Sequence, residues 1–287
     1  MIFLLLSISL SVLTVSFFKL FERYNVPTFQ AIIVNYATCI IVGNLFADEA
    51  IITRPFWSMP WFPYAALLGG VFISIFYSIG LTSQRMGVSV SMVAAKLSVV
   101  IPVGIAFLFQ GESLNIFKVT GIVLSLLSVY LISKKESVSV AVTGKSLWIL
   151  PLIVFAGSGI IDAMLRFMQQ RFIPPATAGD MISTVFLAAL CYGLIVVLIR
   201  KEKFQPRSIW WGIALGIPNY FCMYFLVRTL EQFDATFIFP LNNIAIVVCS
   251  TLVSMLFFSE KLSRSNWAGF ALAILSILII SLADVVL

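Results

Sequence analysis

The sequence predicts an all-α membrane protein of ten transmembrane helices, arranged as two inverted five-helix repeats. Composition, ten long apolar runs and an internal repeat each point that way. Of the 287 residues, 61% are hydrophobic and only 10% charged, with mean hydropathy +1.09. A soluble domain carries about 25% charged residues. So few charges cannot cover a water-soluble globule of this length, which excludes a soluble enzyme and the collagen-like, disordered and disulfide-stapled classes. A bilayer is the solvent that fits. One spanning helix takes about 20 apolar residues, so ten leave only short loops.

The apolar runs cover approximately 1–21, 29–47, 62–81, 88–110, 116–133, 147–167, 179–199, 209–229, 236–258 and 267–287. Inside lipid no water satisfies backbone groups, so each run must be a helix. Residues 1–21 lack a basic start and a small-residue cleavage site, and read as the first membrane helix, not a signal peptide. The tryptophans, Trp57, Trp61, Trp148, Trp210, Trp211 and Trp267, all fall at or beside run ends, where an interfacial aromatic belt places them. Loops after helices 1, 3, 5, 7 and 9 hold Lys19, Arg23, Arg85, Lys134, Lys135, Lys145, Arg200, Lys201, Lys203, Arg207, Lys261 and Arg264. The others hold Arg54, Lys118, Arg166, Arg171 and Arg228. The positive-inside rule puts the first set in the cytoplasm and both termini outside.

The net charge of +6 is spread over these loops, as topology signals and headgroup contacts. It makes no nucleic-acid surface. The chain has no histidine, which removes imidazole ligands, Ser-His catalysis and His proton relays. Cys39, Cys191, Cys222 and Cys249 lie inside apolar runs without metal-ligand spacing and are expected to be buried free thiols. No metal, cofactor or catalytic residue is expected.

The linker 134–146 divides the chain near its middle. A shift of 147 aligns Ser11, Lys19 and Pro27 with Ser158, Arg166 and Pro174, and Gly69, Tyr77 and Thr82 with Gly216, Tyr224 and Thr229. A shift of 148 aligns Glu112, Leu114 and Gly121 with Glu260, Leu262 and Gly269. Residues 1–133 and 147–287 therefore read as two five-helix units. Five is odd, so the second unit enters the membrane from the opposite side.

The unit ends read QGESLNIFKVTGIVLSLLSVYLIS (110–133) and FSEKLSRSNWAGFALAILSILIIS (258–281). A glutamate after an apolar helix, Leu two residues on, and Gly heading a Ser/Ala-rich helix resemble the EamA repeat of the drug/metabolite transporter superfamily. The stretch AAKLSVVIPVGIAFLFQGESL (94–114) looks like the fourth helix of such proteins. The resemblance covers essentially the whole chain. It implies metabolite transport by alternating access, a central cavity lined by helices 1–4 and 6–9, and peripheral helices 5 and 10. It also implies cytoplasmic termini, against the charge distribution.

Lys96, about nine residues into helix 4, is the sharpest candidate. A lysine near the bilayer centre costs about 2.5–3.5 kcal/mol without a partner or water, so it reads as a cavity cation for a carboxylate or phosphate, or else as a snorkelling lysine. Asp162 in helix 6 is the coupling candidate, or else the i+4 partner of Arg166. The run boundaries place it roughly 10 Å in depth from Lys96, too far for an ion pair. Asn35, Asn219, Tyr220, Asn242 and Asn243 are polar groups within apolar runs, either cavity contacts or interhelical glue. Tyr77 and Tyr224, repeat mates, suit a cavity wall. Pro102, Pro218 and Pro240 sit inside helices 4, 8 and 9 as hinges or static bends. The stripes Gly70, Ser74, Ser78 and Gly212, Gly216 read as close-packing faces. Glu112 and Glu260 each precede a helix start, where a carboxylate favours exposed N–H groups.

The expected function is secondary transport of a small amino-acid-like or organic-anion metabolite, as an exporter in a bacterial inner membrane. Membrane lipids and the substrate are the partners, for a monomer or a homodimer. The alternatives are a membrane scaffold or lipid-handling protein, and an intramembrane aspartyl protease using Asp162 and Asp180, whose IID and TAGD words match that enzyme class incompletely.

Overall fold

The computed structural model describes residues 1–46, 56–102, 104–105, 116–133, 148–172, 178–230, 232–233 and 235–283. Among these residues the structure is helical and contains no strand. The helices are α1 (Ile2–Arg23), α2 (Thr28–Phe46), α3 (Phe62–Met86), α4 (Val88–Leu97), α5 (Ile116–Ser133), α6 (Ile149–Phe172), α7 (Ala178–Arg200), α8 (Pro206–Leu230), α9 (Ala235–Phe258) and α10 (Arg264–Ala283). Six are long and apolar enough over their described residues to cross a membrane: α1, α2, α3, α7, α8 and α9. The other four are apolar over shorter described stretches.

Local chemistry sets the boundaries. Pro63 opens α3 within its first turn, where a missing N–H has no cost. Gly87 separates α3 from α4 at φ +113, a region glycine enters without steric penalty. Lys201 and Ser259 take left-handed conformations just past α7 and α9, as helix-terminating residues do. Ser263 and Asn266 cap α10 reciprocally: Asn266 Oδ1 accepts from the Ser263 N–H at 3.1 Å, and Ser263 Oγ from the Asn266 N–H at 3.2 Å.

The fourth apolar run departs from the expected continuous helix. Helix α4 stops at Leu97, Ser98 and Val99 form a turn, and helix resumes at Val100. Pro102 explains the break, because it has no N–H to offer the Ser98 carbonyl four residues earlier. That carbonyl accepts instead from Ile101 at 2.9 Å, a tighter turn. Pro218, in contrast, lies inside the unbroken α8. The side chain of Pro240 lies outside the described residues.

The two sequence units interlock; they do not form separate bundles. Helix α1 packs on α8 and α9, α2 on α7 and α8, α3 on α6 and α7, α4 on α6 and α9, and α5 on α10. Close approach relies on small residues. A Cβ at Gly216 would lie 2.9 Å from the Asn35 carbonyl oxygen, and one at Gly212 2.7 Å from that of Ala31. The second stripe behaves only partly as expected. Gly70 meets Tyr192, but Ser74 is exposed and Ser74 and Ser78 bond back to carbonyls of their own helix.

Aromatic packing fills the core. Tyr36 touches Phe72, Phe76 and Phe186, and Trp211 meets Phe17 and Phe21 edge-on. Trp57, Trp148, Trp210 and Trp267 are exposed as a belt requires, whereas Trp61 is buried and Trp211 half-buried. All four thiols are free, but Cys191 is exposed, contrary to expectation. Its stretch of α7, with Tyr192, Leu194 and Ile195, faces outward, which is apolar surface suited to lipid.

Candidate functional site

The polar groups expected in apolar runs divide into those the fold brings together and those it keeps apart. Asn35 on α2 and Asn219 on α8 meet: Asn219 Nδ2 donates to Asn35 Oδ1 at 3.1 Å. The glycine contact between α2 and α8 brings the two backbones close enough for this bond. Cys39, one turn along α2, donates its thiol to the Gly216 carbonyl at 3.5 Å. Cys222, one turn along α8, is bonded to Ser11 and to the Asn219 carbonyl. Ser7 donates to the Cys222 carbonyl at 2.7 Å, so α1 closes this polar patch.

Lys96 and Asp162 form the second group. Ser98, in the turn that breaks α4, donates to Asp162 Oδ2 at 3.4 Å. Asp162 and Cys222 are the charged and ionisable groups acting on the Lys96 amine. The amine has no hydrogen bond or ion pair within reach among the described residues. Helix α6 extends to Phe172, five residues past its apolar run, so Asp162 lies near its middle, opposite the turn that follows Lys96. Asp162 has exposed surface and Lys96 is half-buried. The Arg166 side chain lies outside the described residues, as do that of Asp180 and all of Glu112.

Among the described residues, three buried side-chain polar atoms have no partner: Asn35 Nδ2, Tyr36 OH and Asn242 Oδ1. Asn35 and Tyr36 are fully buried and Asn242 is 3% exposed. Leaving a buried donor or acceptor unmet costs about 1–3 kcal/mol, so each needs a reason. One is a donor, one an acceptor, and the hydroxyl can be either.

The tyrosine mates do not form one wall. Tyr77 meets Phe29 edge-on within the α2–α3 core. Tyr224 stacks on Tyr220, and Arg228 lies over its ring, 5.2 Å from the centroid. The Tyr220 ring fills the space beside Gly43. Asn243 is half-exposed, one residue past the buried Asn242.

Sequence reading missed Ser98, Tyr36 and the thiols Cys39 and Cys222 as members of the polar region. Ser98 carried a signal, because it lies four residues before Pro102 and two after Lys96. The others carried none, since Tyr and Cys in apolar runs are ordinary core residues. Glu260 does favour exposed N–H groups, but those of α4 in the other unit and not those of the helix that follows it.

Residues 147–282 match the family described as the EamA-like transporter family. An uncharacterized protein of Haemophilus influenzae is 27% identical over 282 residues, covering 93% of this chain and 91% of that protein. A solved crystal structure superposes with a TM-score of 0.54 at 18% identity, covering 98% of this chain and 95% of that chain, which is a likeness of fold.

Proposed function

We propose, from the premise that this chain is a member of the EamA-like transporter family, that it carries a small metabolite across a bacterial inner membrane by alternating access. The cargo is amino-acid-like or an organic anion, and the direction is export. The observation that carries this reading is a lysine amine without a partner beside Asp162, at a break in α4, within a transporter-family fold. Broken helices at the substrate level are a recurring transporter device, because the turn frees polar groups to face a ligand.

The helix pairings support an inverted repeat. Moving each helix five places along the chain order turns α1·α8 into α3·α6, α2·α8 into α3·α7 and α1·α9 into α4·α6, and returns α2·α7, α4·α9 and α5·α10 to themselves. The α5·α10 pair adds two bonds that the 148 shift interchanges. Ser128 Oγ donates to the Gly269 carbonyl at 2.6 Å, and Ser276 Oγ to the Gly121 carbonyl at 2.8 Å. Those contacts run antiparallel, as a two-fold axis in the membrane plane requires.

In this reading Lys96 takes the carboxylate of the cargo. The unmet atoms of Asn35 and Asn242 supply a donor and an acceptor, and Asn219, Tyr220, Tyr224 and Asn243 complete the wall. Asp162 carries the coupling proton or cation. Pro102 places the turn, and Pro218 and Pro240 allow bending. The test is flux of labelled amino acids and dicarboxylates in proteoliposomes under an imposed pH gradient. Lys96→Ala should stop flux of the transported solute, and Asp162→Asn should flatten its pH dependence. Lipid scrambling without solute flux would favour the lipid-handling alternative.

A further inference from the structure

We propose that Glu260 is a latch between the two sequence units, holding one end of the α4·α9 pair shut, and that its release opens this end of the transport path. The inference rests on the alternating-access reading above. Helix α9 ends in a left-handed Ser259, and the Glu260 N–H returns to the Ser254 carbonyl at 3.1 Å. This closure past the end of α9 directs the Glu260 side chain away from its own continuation and across to α4. There Oε1 accepts the Val88 N–H at 3.2 Å, and Ser89 Oγ lies 3.5 Å from Oε2. The carboxylate thus meets the exposed N–H groups at the positive end of the α4 dipole.

Gly87 makes the contact possible. A Cβ there would lie 2.5 Å from Glu260 Oε2, so any other residue would push the carboxylate away. Beneath it, the Ser89 and Ser254 hydroxyls join α4 to α9 at 2.7 Å. Lys19 on α1 is the charged group acting on Glu260, while α4 and α9 present only N–H and hydroxyl groups. Lys19 itself is held by the Gln84 carbonyl and Glu22. Lys96 lies eight residues along the helix that Glu260 caps, about 12 Å away at 1.5 Å per residue. Movement of the capped end therefore passes directly to the candidate site. One such cap is a single hydrogen bond, which the carboxyl oxygen accepts from the Val88 N–H with or without its own proton.

The latch also responds to pH. Burial raises the affinity of Glu260 for its proton above that of an ordinary glutamate, although the Val88 N–H and Lys19 pull the other way. A raised value means that the latched state holds the proton more tightly than the released one. Latching is therefore fully supported below the ordinary glutamate value and weakens as pH rises through the raised one.

The test uses Cys222 as reporter in the full chain, with Cys39, Cys191 and Cys249 replaced by serine, in oriented proteoliposomes. An impermeant maleimide is applied from the lysine- and arginine-rich face. Below the ordinary glutamate pKa, Glu260→Ala should speed labelling by about three- to tenfold, the worth of one neutral hydrogen bond. At the same pH Glu260→Gln, which keeps an acceptor, should stay within about twofold of the parent. The labelling rate of the parent relative to Glu260→Gln should rise with pH, by up to about tenfold for each unit separating the latched and released pKa values. Equal labelling in parent and Glu260→Ala overturns the latch. If Glu260→Ala does not fold, parallel pH profiles of parent and Glu260→Gln overturn it alone. Loss of solute flux from the parent protein, by contrast, would sink the transport reading and leave the labelling result to stand.

Discussion

The outer pair α5·α10 and the central seam of α2, α4, α6, α8 and α9 treat polar groups in opposite ways. In the outer pair the serines are spent on structure. Ser125, Ser128, Ser265 and Ser276 each donate to a carbonyl on another helix, and among the described residues of the pair no buried side-chain polar atom is left unmet. The outward face is apolar, with Ile116, Phe117, Val123 and Leu127 exposed. In the seam, Asn35, Tyr36 and Asn242 keep unmet buried atoms and Lys96 has no partner. A region that only holds the fold together satisfies itself. In the transport reading proposed above, the seam leaves groups for the cargo to satisfy, and loses stability by doing so.

The largest expected effect is on flux. Lys96→Ala should lower it by roughly ten- to a hundredfold, matching the loss of a hydrogen bond to a charged group. The same substitution should raise the melting temperature in detergent, because an unpartnered lysine in a span costs about 2.5–3.5 kcal/mol. A fall in both flux and melting temperature would make Lys96 structural and break the comparison.

Next in size is the contact that assembles the seam. Gly216→Ala forces a methyl group against the Asn35 backbone and Thr38. It should destabilise the protein by about 1–3 kcal/mol, as overpacking does, read from denaturation in micelles. A neutral result would mean that α2 and α8 can separate without loss.

The smallest effects sharpen the contrast. Ser128→Ala and Ser276→Ala should each cost about 0.6 kcal/mol, the usual worth of an interhelical bond in a membrane, and leave flux unchanged. Asn242→Leu should do the reverse, lowering flux at no cost in stability, because its carbonyl has no partner to lose. Measuring both properties for all three variants decides whether the division between outer pair and seam is real.

Much of the fold was legible because lipid permits little else. Each of the ten apolar runs is helical over its described residues, apart from the turn at Ser98 and Val99, and the Gly212 and Gly216 stripe packed as its spacing implied. Individual partners were not legible. Nothing in the sequence near Glu260 says that it caps a helix about 170 residues away in the chain instead of the one beginning four residues later. The end of helix α6 was not legible either, because hydropathy marks the apolar stretch and not the helix end. Helix α6 continues past Leu165 through polar residues to Phe172.

By itself, then, the sequence determined the apolar solvent and the helical class. These depend on transfer energies and backbone chemistry that act residue by residue. Only the tertiary structure decided that the two units interlock and that Asn35 meets Asn219. It also decided that Ser98 faces Asp162 and which buried atoms remain unmet. Those outcomes depend on helix rotation and approach, which are settled by many distant contacts acting together and leave no local trace in the chain.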